Sequence, residues 1–452
     1  MSEKKCYLAI DLGASSGRAV VGYLDQGLLK YEEIHRFPNY GVELGGTLYW
    51  DILRIYHEIE TILLKAKAYP IKSLSIDSWG VDFALVDQAG RLLENPVHYR
   101  DDRTIGQMDK VFSKIPSAEL YRRTGVERIA FNSIYQLNAF LENRPDLVPL
   151  VDRVLFIPDY LNFLLTGQMR AEKTIAGTSQ LLDIRKRDWD DSILDRLGLP
   201  RHWFSPLIKP GEVLGTLRPA LAKRLSIPEW DVVAGASHDT QSALAAVPAK
   251  EEDFLYLSSG TWSLLGTELD SPMVNAASEA GNFTNELAYG DKVSFHKNIM
   301  GLWLIQQSKA QWAAEGQDLS YDRMVDLASV EEAGRFIFNP DHPSLNNTDN
   351  MPQAIQALCL ETLGRAPQSK GQIIRAIYDS LAEKYKEVAG QIESLTKKTY
   401  NSIYIIGGGS QNALLNRLTA EALGMTVHAG PVEATAIGNI MVQAIAGKEV
   451  AP

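Results

Sequence analysis

The chain carries its apolar residues in short runs whose period changes repeatedly. Tyr7-Leu-Ala-Ile10 is a continuous apolar run of strand length, which predicts a strand covered on both faces. Arg18 to Leu24 and Leu29 to Arg36 read as two further strands with glycine-bearing turns between them. Leu53 to Ala66 switches to helical spacing, and Ser73 to Asp77 returns to a strand. From Ser117 to Ser179 the pattern is mainly helical, with turn signals at Thr124-Gly125, Pro158-Asp159 and Thr166-Gly167. The run that begins at Asp231 predicts a strand leading through Gly235 and Ala236, and Gln241 to Ala246 a helix. Asp253 to Leu257 and Thr261 to Gly266 predict two strands around the turn Ser258-Ser-Gly260. A helix is expected to start at Lys297 and run through Gln306, with Leu302, Trp303 and Ile305 in the core. Ile373 to Ile392 reads as a long amphipathic helix and Ser402 to Ile406 as a buried strand, and a last helix opens after Gly430.

Three meandering strands, a helix and another strand make a ribonuclease-H-like unit. The turn at Ser258 repeats, between two strands, the device at Asp11, so the chain reads as two copies of one plan. Its 452 residues are also too many for one ordinary core. The expected fold is α/β: two ribonuclease-H-like lobes of the actin and hexokinase type with a cleft between them, residues 1–245 and 246–452. The helical stretch from Ser117 to Ser179 is expected to roof a pocket in the first lobe.

Composition narrows the function classes. The 45 basic and 56 acidic residues give a net charge of −11, which argues against nucleic acid or an anionic membrane as partner and leaves room for a local phosphate site. Only Cys6 and Cys359 are present, without metal-ligand spacing, so the reading excludes a disulfide framework or zinc site and expects a cytoplasmic protein. The first six residues lack a signal-like apolar region, and no apolar run approaches bilayer length.

The candidate chemistry lies in the turns. Asp231-Val-Val-Ala-Gly-Ala-Ser-His-Asp-Thr-Gln-Ser242 brings a strand through small residues to His238 and Asp239 at a helix start, where Asp239 is either a base or an N-cap. Asp11-Leu-Gly-Ala-Ser-Ser-Gly17 lacks the lysine of a Walker loop and leads into a strand. It can still form an anion-binding nest with Asp11 holding Mg2+ through water, or be a plain hairpin turn. Trp79 beside Gly80 offers an apolar ring next to bare backbone for one face of a sugar, or is a core tryptophan. Asn298 and Gln306 face either the cleft or solvent. Gly407-Gly-Gly-Ser-Gln-Asn412 allows a flat ligand such as adenine to approach the backbone closely, or is a tight turn. Tyr99-Arg-Asp-Asp-Arg-Thr104 is a loop-fixing ion cluster or supports the pocket from behind, with Arg100 or Arg103 pointing inward.

Together these strings resemble the FGGY carbohydrate kinases, and within them the branch that phosphorylates L-rhamnulose at O1. The resemblance rests on Asp11 to Arg18, Asp77-Ser-Trp-Gly-Val-Asp-Phe83, Tyr99 to Thr104, His238-Asp-Thr240, Ser258-Ser-Gly-Thr-Trp-Ser-Leu264, Gly407 to Asn412 and Pro431-Val-Glu-Ala434, which fall in family order over nearly the whole length. It implies an ATP- and Mg2+-dependent kinase of a small ketose, a monomer or small homo-oligomer, with the sugar mainly in the first lobe and ATP mainly in the second. Asp239 would be the base and Asp11 would sit near Mg2+. Ala14, Ser15, Ser16, Gly17 and Arg18 would line the phosphates. Gly80, His238, Thr240 and Asn298, with Trp79 and Asp239, would meet the sugar, and Thr261, Gln306 and Gly407 to Gly409, including Gly408, would hold ATP. The general family signature near residue 131 has a lysine and a tryptophan where this chain has Gln136 and Ala139, a departure typical of the L-rhamnulose branch. The family also continues some tens of residues past the last helix, where this chain ends at Ala451-Pro452. The alternatives are a kinase of another ketose, such as L-fuculose or a pentulose, and a non-enzymatic actin-like nucleotide switch or sugar sensor. For a six-deoxy sugar, Trp79 or Phe131 is the expected apolar patch for the methyl group.

Overall fold

The computed structural model describes residues 5–249, 251–346 and 348–450; residues 1–4 and the chain end at 451–452 lie outside the described residues. The chain forms two compact units. The first comprises Met1–Ala246, Leu269–Ser294 and Thr435–Pro452, the second Val247–Glu268 and Phe295–Ala434. Where the sequence reading ends the first lobe at residue 245, this unit therefore also takes in the stretch around residue 280 and the last helix.

The sheet of the first unit runs Val213–Thr216, Asp231–Val233, Ile71–Ser78, β1 (Cys6–Leu12), β2 (Ser16–Asp25), β3 (Leu28–Pro38). β1 pairs antiparallel with β2 and parallel with Ile71–Ser78, which pairs parallel with Asp231–Val233. The continuous apolar run of β1 has a simple cause. Leu8, Ile10 and Leu12 point to the face covered by helix α1 (Ile52–Ala66), in one core with Ile55, Ile59 and Ile62. Tyr7 and Ala9 point the other way, onto Ala436, Ile440 and Ala444 of the last helix, Ala434–Ala446. This second contact draws the C-terminal helix into the first unit. The helix is also fixed by polar bonds: Gln443 Nε2 donates to Leu8 O at 3.1 Å, and Ser73 Oγ to Gln443 Oε1 at 2.7 Å. Much of the stretch from Val111 to Phe204 packs into a further core around Leu137, Phe140, Phe156 and Trp189, which also takes in Phe83, Leu85 and Leu287.

In the second unit, Leu255–Ser259 pairs antiparallel with Trp262–Leu269 and parallel with Ser402–Ile406, which pairs parallel with Thr426–Ala429. This repeats the strand plan of the first unit. Helix Lys370–Thr396 has Ile374, Ile377, Leu381 and Val388 buried, and its Tyr385 OH lies 2.8 Å from Ser263 Oγ of the strand Trp262–Leu269. One expectation is corrected. Residues 297–300 continue the strand Val293–Met300, and the helix begins only at Trp303, running to Ala314. Val293, Phe295 and Ile299 carry strand alternation up to Gly301, where a side chain would lie 2.7 Å from the backbone of Trp262. Asn298 is thus on a strand, and of the expected core residues Ile305 is buried while Leu302 and Trp303 are half-buried. Cys6 and Cys359 are both buried, and neither is part of a disulfide. Among the described residues, no helix is long and apolar enough to cross a membrane.

Candidate active site

Three carboxylates gather where parallel strands of the first unit end. Asp11 on β1 stands in register with Asp77 on Ile71–Ser78. Asp239 opens the helix Asp239–Leu244 that follows Asp231–Val233, and His238 bridges to Ser78. The carboxyl ends of parallel strands are where open α/β sheets place their ligands. Asp11 is ion-paired with Arg18, its antiparallel partner, at 2.6 Å from Nη2 and 2.8 Å from Nε. Asp77 accepts from Asn439 Nδ2 at 2.6 Å, while its Oδ1 is buried without a hydrogen-bond partner. Burial, then Asp11 and Asp239, push the Asp77 carboxyl well above the usual range, against the bond from Asn439.

The helix start settles what Asp239 does locally. His238 is the N-cap residue, with extended backbone and no side-chain capping bond, so Asp239 is the first helical residue rather than the cap. Its side chain keeps 33% exposure. Burial, then Asp11, raise its pKa, and His238 opposes them. His238 Nε2 lies 3.4 Å from Asp239 Oδ1, and its Nδ1 3.1 Å from Glu286 Oε2 as an ion pair rather than an aligned hydrogen bond. Burial alone would lower the His238 pKa, but Glu286, Asp239 and Glu172 outweigh it and raise it to about 9. The backbone is held as well: Ser237 N donates to Glu172 Oε2 at 3.0 Å and His238 N to Thr174 Oγ1 at 3.1 Å. Thr240 Oγ1 donates to Asp239 Oδ1 at 3.2 Å.

The turn from Asp11 to Arg18 is a tight strand-turn-strand closed by Gly13 N to Ser16 O at 2.9 Å. Asn39 holds it from below, its N donating to Ser15 O at 3.0 Å and its Nδ2 to Gly13 O at 2.9 Å. Ala14 and Ser16 are half-buried and Ser15 exposed. Gly17 is required: a Cβ there would lie 2.2 Å from the Phe37 ring.

Trp79 does not present its ring to solvent. It is 6% exposed and packs on Trp50 with centroids 4.1 Å apart, the core alternative of the sequence reading. Its Nε1 donates at 3.0 Å to Asp82 Oδ2, which also accepts from Trp50 Nε1 at 2.6 Å and Tyr99 N at 3.1 Å. Asp82 Oδ1 takes Gln136 Nε2 at 2.9 Å, and Gln136 Oε1 takes Arg103 Nη2 at 2.6 Å. Burial raises the Asp82 pKa to about 6 against the bonds from Trp50, Gln136 and Trp79. Between Gly80 and Asp82, Val81 adopts φ 67°, a left-handed backbone that a β-branched residue rarely takes. Thr178 Oγ1 accepts from Val81 N at 3.0 Å, and Ser133 Oγ donates to Val81 O at 2.6 Å. Of the two arginines in the loop, Arg103 points inward to Gln136, while Arg100 is exposed beside Tyr99. Phe131 is half-buried, edge-on to Tyr99 at 5.3 Å.

In the second unit, the turn at Gly260 and the glycines after Ser402–Ile406 lie side by side, because Ser258 pairs with Ile406. A Cβ on Gly409 would sit 2.0 Å from Ser259 Oγ, Gly407 has φ +82°, and Gly408 faces open space. Thr261 Oγ1 donates to Gln306 Oε1 at 3.1 Å, and Thr261 O accepts from Gly301 N and Trp303 N, each at 3.2 Å. Asn298 is half-buried on its strand.

Asp77, Val81 and Asp82 lie in a string that the sequence reading singles out without giving them a role, and Asn39, Glu172, Glu286 and Asn439 have no part in it. Asn439 had a signal: with Gln443 it makes a polar i, i+4 pair on the face that carries Ala436, Ile440 and Ala444.

Comparison with known proteins shows which family the chain resembles. Residues 6–246 match the model for the FGGY family of carbohydrate kinases, N-terminal domain, and residues 255–447 that for its C-terminal domain. The chain is 43% identical to a rhamnulokinase of Bacteroides thetaiotaomicron, over 98% of this chain and 91% of the relative. It is 42% identical to one of Oceanobacillus iheyensis, over 98% and 93%. Solved structures with the same fold include gluconate kinase from Lactobacillus acidophilus, with TM-score 0.84 and 16% identity over 100% of this chain and 91% of that one. Plasmodium falciparum glycerol kinase with ADP has TM-score 0.81 and 15% identity over 100% and 91%.

Proposed function

The chain belongs to the FGGY family of carbohydrate kinases, and from that membership we propose that it transfers the γ-phosphoryl group of ATP to O1 of L-rhamnulose. The observation that carries the mechanism is Asp239, a part-exposed carboxylate at a helix start, with His238 beside it and Asp11 facing it. Asp239 takes the proton of the O1 hydroxyl as O1 attacks the γ-phosphorus; the bond from γ-phosphorus to the bridging oxygen breaks, and its electron pair leaves with ADP. Phosphoryl transfer asks mainly for positioning and charge stabilisation, which an N–H-rich turn and one orienting carboxylate supply.

The sugar is assigned mainly to the first unit, near Gly80, His238, Thr240 and the strained Val81 backbone. With Trp79 buried, Tyr99 and Phe131 are the aromatic groups left for an apolar contact with the sugar's methyl group. The Ala14 to Arg18 turn is assigned to phosphates. Adenine nucleotide is assigned to Thr261, Gln306 and the open face at Gly408, and Asn298 to the sugar.

Asp11 is the residue proposed to hold Mg2+. Among the described residues no three His, Cys, Asp or Glu side chains can hold a metal by themselves, which suits an ion that keeps several waters and takes substrate phosphates as ligands. The buried, unpartnered Asp77 Oδ1 beside Asp11 fits a nearby cation. Bound there, Mg2+ would neutralise charge on the phosphates.

The test is coupled ADP release with MgATP against L-rhamnulose, L-fuculose, L-ribulose, D-xylulose and glycerol. Selective turnover of L-rhamnulose is expected. Preference for another ketose would move the substrate and keep the chemistry. Folded protein without sugar-dependent ADP release would favour a nucleotide switch or sugar sensor.

A further inference from the structure

The ring of His238 lies between two carboxylates, Asp239 at 3.4 Å from Nε2 and Glu286 at 3.1 Å from Nδ1. A neutral imidazole has one N–H and can face only one of them as a donor; an imidazolium faces both. His238 and Glu286 side chains are 10% and 9% exposed, so water does little to screen the pair. Glu286 is itself anchored to the same helix, since Gln241 Nε2 donates to its Oε2 at 3.1 Å. The strand Thr284–Leu287 that carries it is fully buried.

We propose that Glu286 is a positioning residue of the phosphoryl transfer: through its ion pair with Nδ1 it keeps His238 an imidazolium with Nε2 turned to Asp239, and so keeps Asp239 ionised and oriented. The inference rests on the reading of Asp239 as the base. Three groups set the charge of His238: Glu286 on its strand, Glu172 at the start of helix Lys173–Gly177, and Asp239 on its own helix. Asp239 is faced by His238, by Asp11 with its partner Arg18, and by Asp77. Of these neighbours, His238 is the cation 3.4 Å from Asp239, and it counters the carboxylate of Asp11, which favours the protonated form. Glu172 and Thr174 fix only the backbone at Ser237 and His238, so the ring's direction falls to Glu286.

The experiment is a ring-NMR titration of His238 in the full-length protein, assigned with His238→Gln, together with pH profiles of kcat/KM for wild type and Glu286→Gln. In the wild type His238 is expected to titrate near 9. In Glu286→Gln it is expected to titrate below about 7, and the acid limb of kcat/KM to move to higher pH, with kcat at neutral pH falling roughly tenfold or more. A wild-type His238 titrating at or below about 6.5 overturns the inference even if the variant does not fold. So does an unchanged titration in Glu286→Gln, or a lowered one with an unmoved acid limb. Failure of the base assignment reads out elsewhere, as retained turnover in Asp239→Asn, and leaves the His238 titration untouched.

Discussion

Gly438 ties the last helix to the helix that begins with Asp239, and its replacement by alanine is the most quantitative test of that packing. A Cβ at residue 438 would lie 1.7 Å from Ser242 O and 2.8 Å from Ser242 C, both backbone atoms that no rotamer change can move. Restoring an ordinary contact requires one helix to shift by about 1.5 Å. That shift would stretch Asn439 to Asp77, now 2.6 Å, and Ser242 Oγ to Thr435 O, now 2.9 Å, past about 4 Å, where neither is a hydrogen bond. Losing two such bonds costs about 2–4 kcal/mol and forced overpacking about 1–3 kcal/mol. A destabilisation of about 4 kcal/mol corresponds, for a unit of this size, to a Tm lower by roughly 4–7 °C. The control is Gly390→Ala, at an exposed position in helix Lys370–Thr396 where a Cβ meets nothing within 4 Å; it should gain about 0.5–1 kcal/mol from helix propensity. The assays are thermal and urea unfolding with sugar-dependent ADP release on both variants. Gly438→Ala is expected to lose kcat as well, because the displaced helix carries the base. A Gly438→Ala protein with a Tm within about 2 °C of wild type and unchanged kcat would refute the reasoning.

Thr178→Val keeps the volume but leaves the Val81 N–H without its acceptor, at about 1–3 kcal/mol; KM for the ketose should rise while KM for ATP holds, as steady-state kinetics will read. Gly409→Ala drives a methyl into Ser259 Oγ and should raise KM for ATP with little change for the sugar, measurable by the same assay. The His238 pKa, raised from 6.5 to about 9, means the folded state binds this proton more tightly, so the associated stability is fully present below about pH 6.5 and lost as pH rises through about 9. The stability difference between wild type and His238→Gln should therefore shrink by about 3 kcal/mol between pH 6.5 and 9.5 in urea unfolding.

Much of the architecture was legible because burial on both faces leaves a mark in sequence. β1 reads as an unbroken apolar run since its alternate residues serve two cores, and the turns at Asp11 and Ser258 reveal the repeated plan. His238 and Asp239 were legible as residues at an element end. The pieces that were not legible are contacts made at a distance: Glu286 reaches Gln241 across 45 residues, and Asp82 gathers Trp50, Tyr99 and Gln136 from three other segments. Trp79 gives no local sign of which way its ring turns, and only packing on Trp50 decides it. The strand at residues 297–300 was misread because Met300-Gly-Leu-Trp-Leu-Ile305 has helical spacing that conceals the break at Gly301.

The central claim is that Asp239 takes the proton from the sugar hydroxyl in an ATP-dependent kinase. Its most direct measurement is L-rhamnulose-dependent ADP release by Asp239→Asn beside wild type, at saturating MgATP, with nucleotide binding followed by calorimetry. The account predicts turnover lower by about 10²–10⁴-fold with ATP affinity nearly unchanged. Turnover within a few-fold of wild type would contradict it.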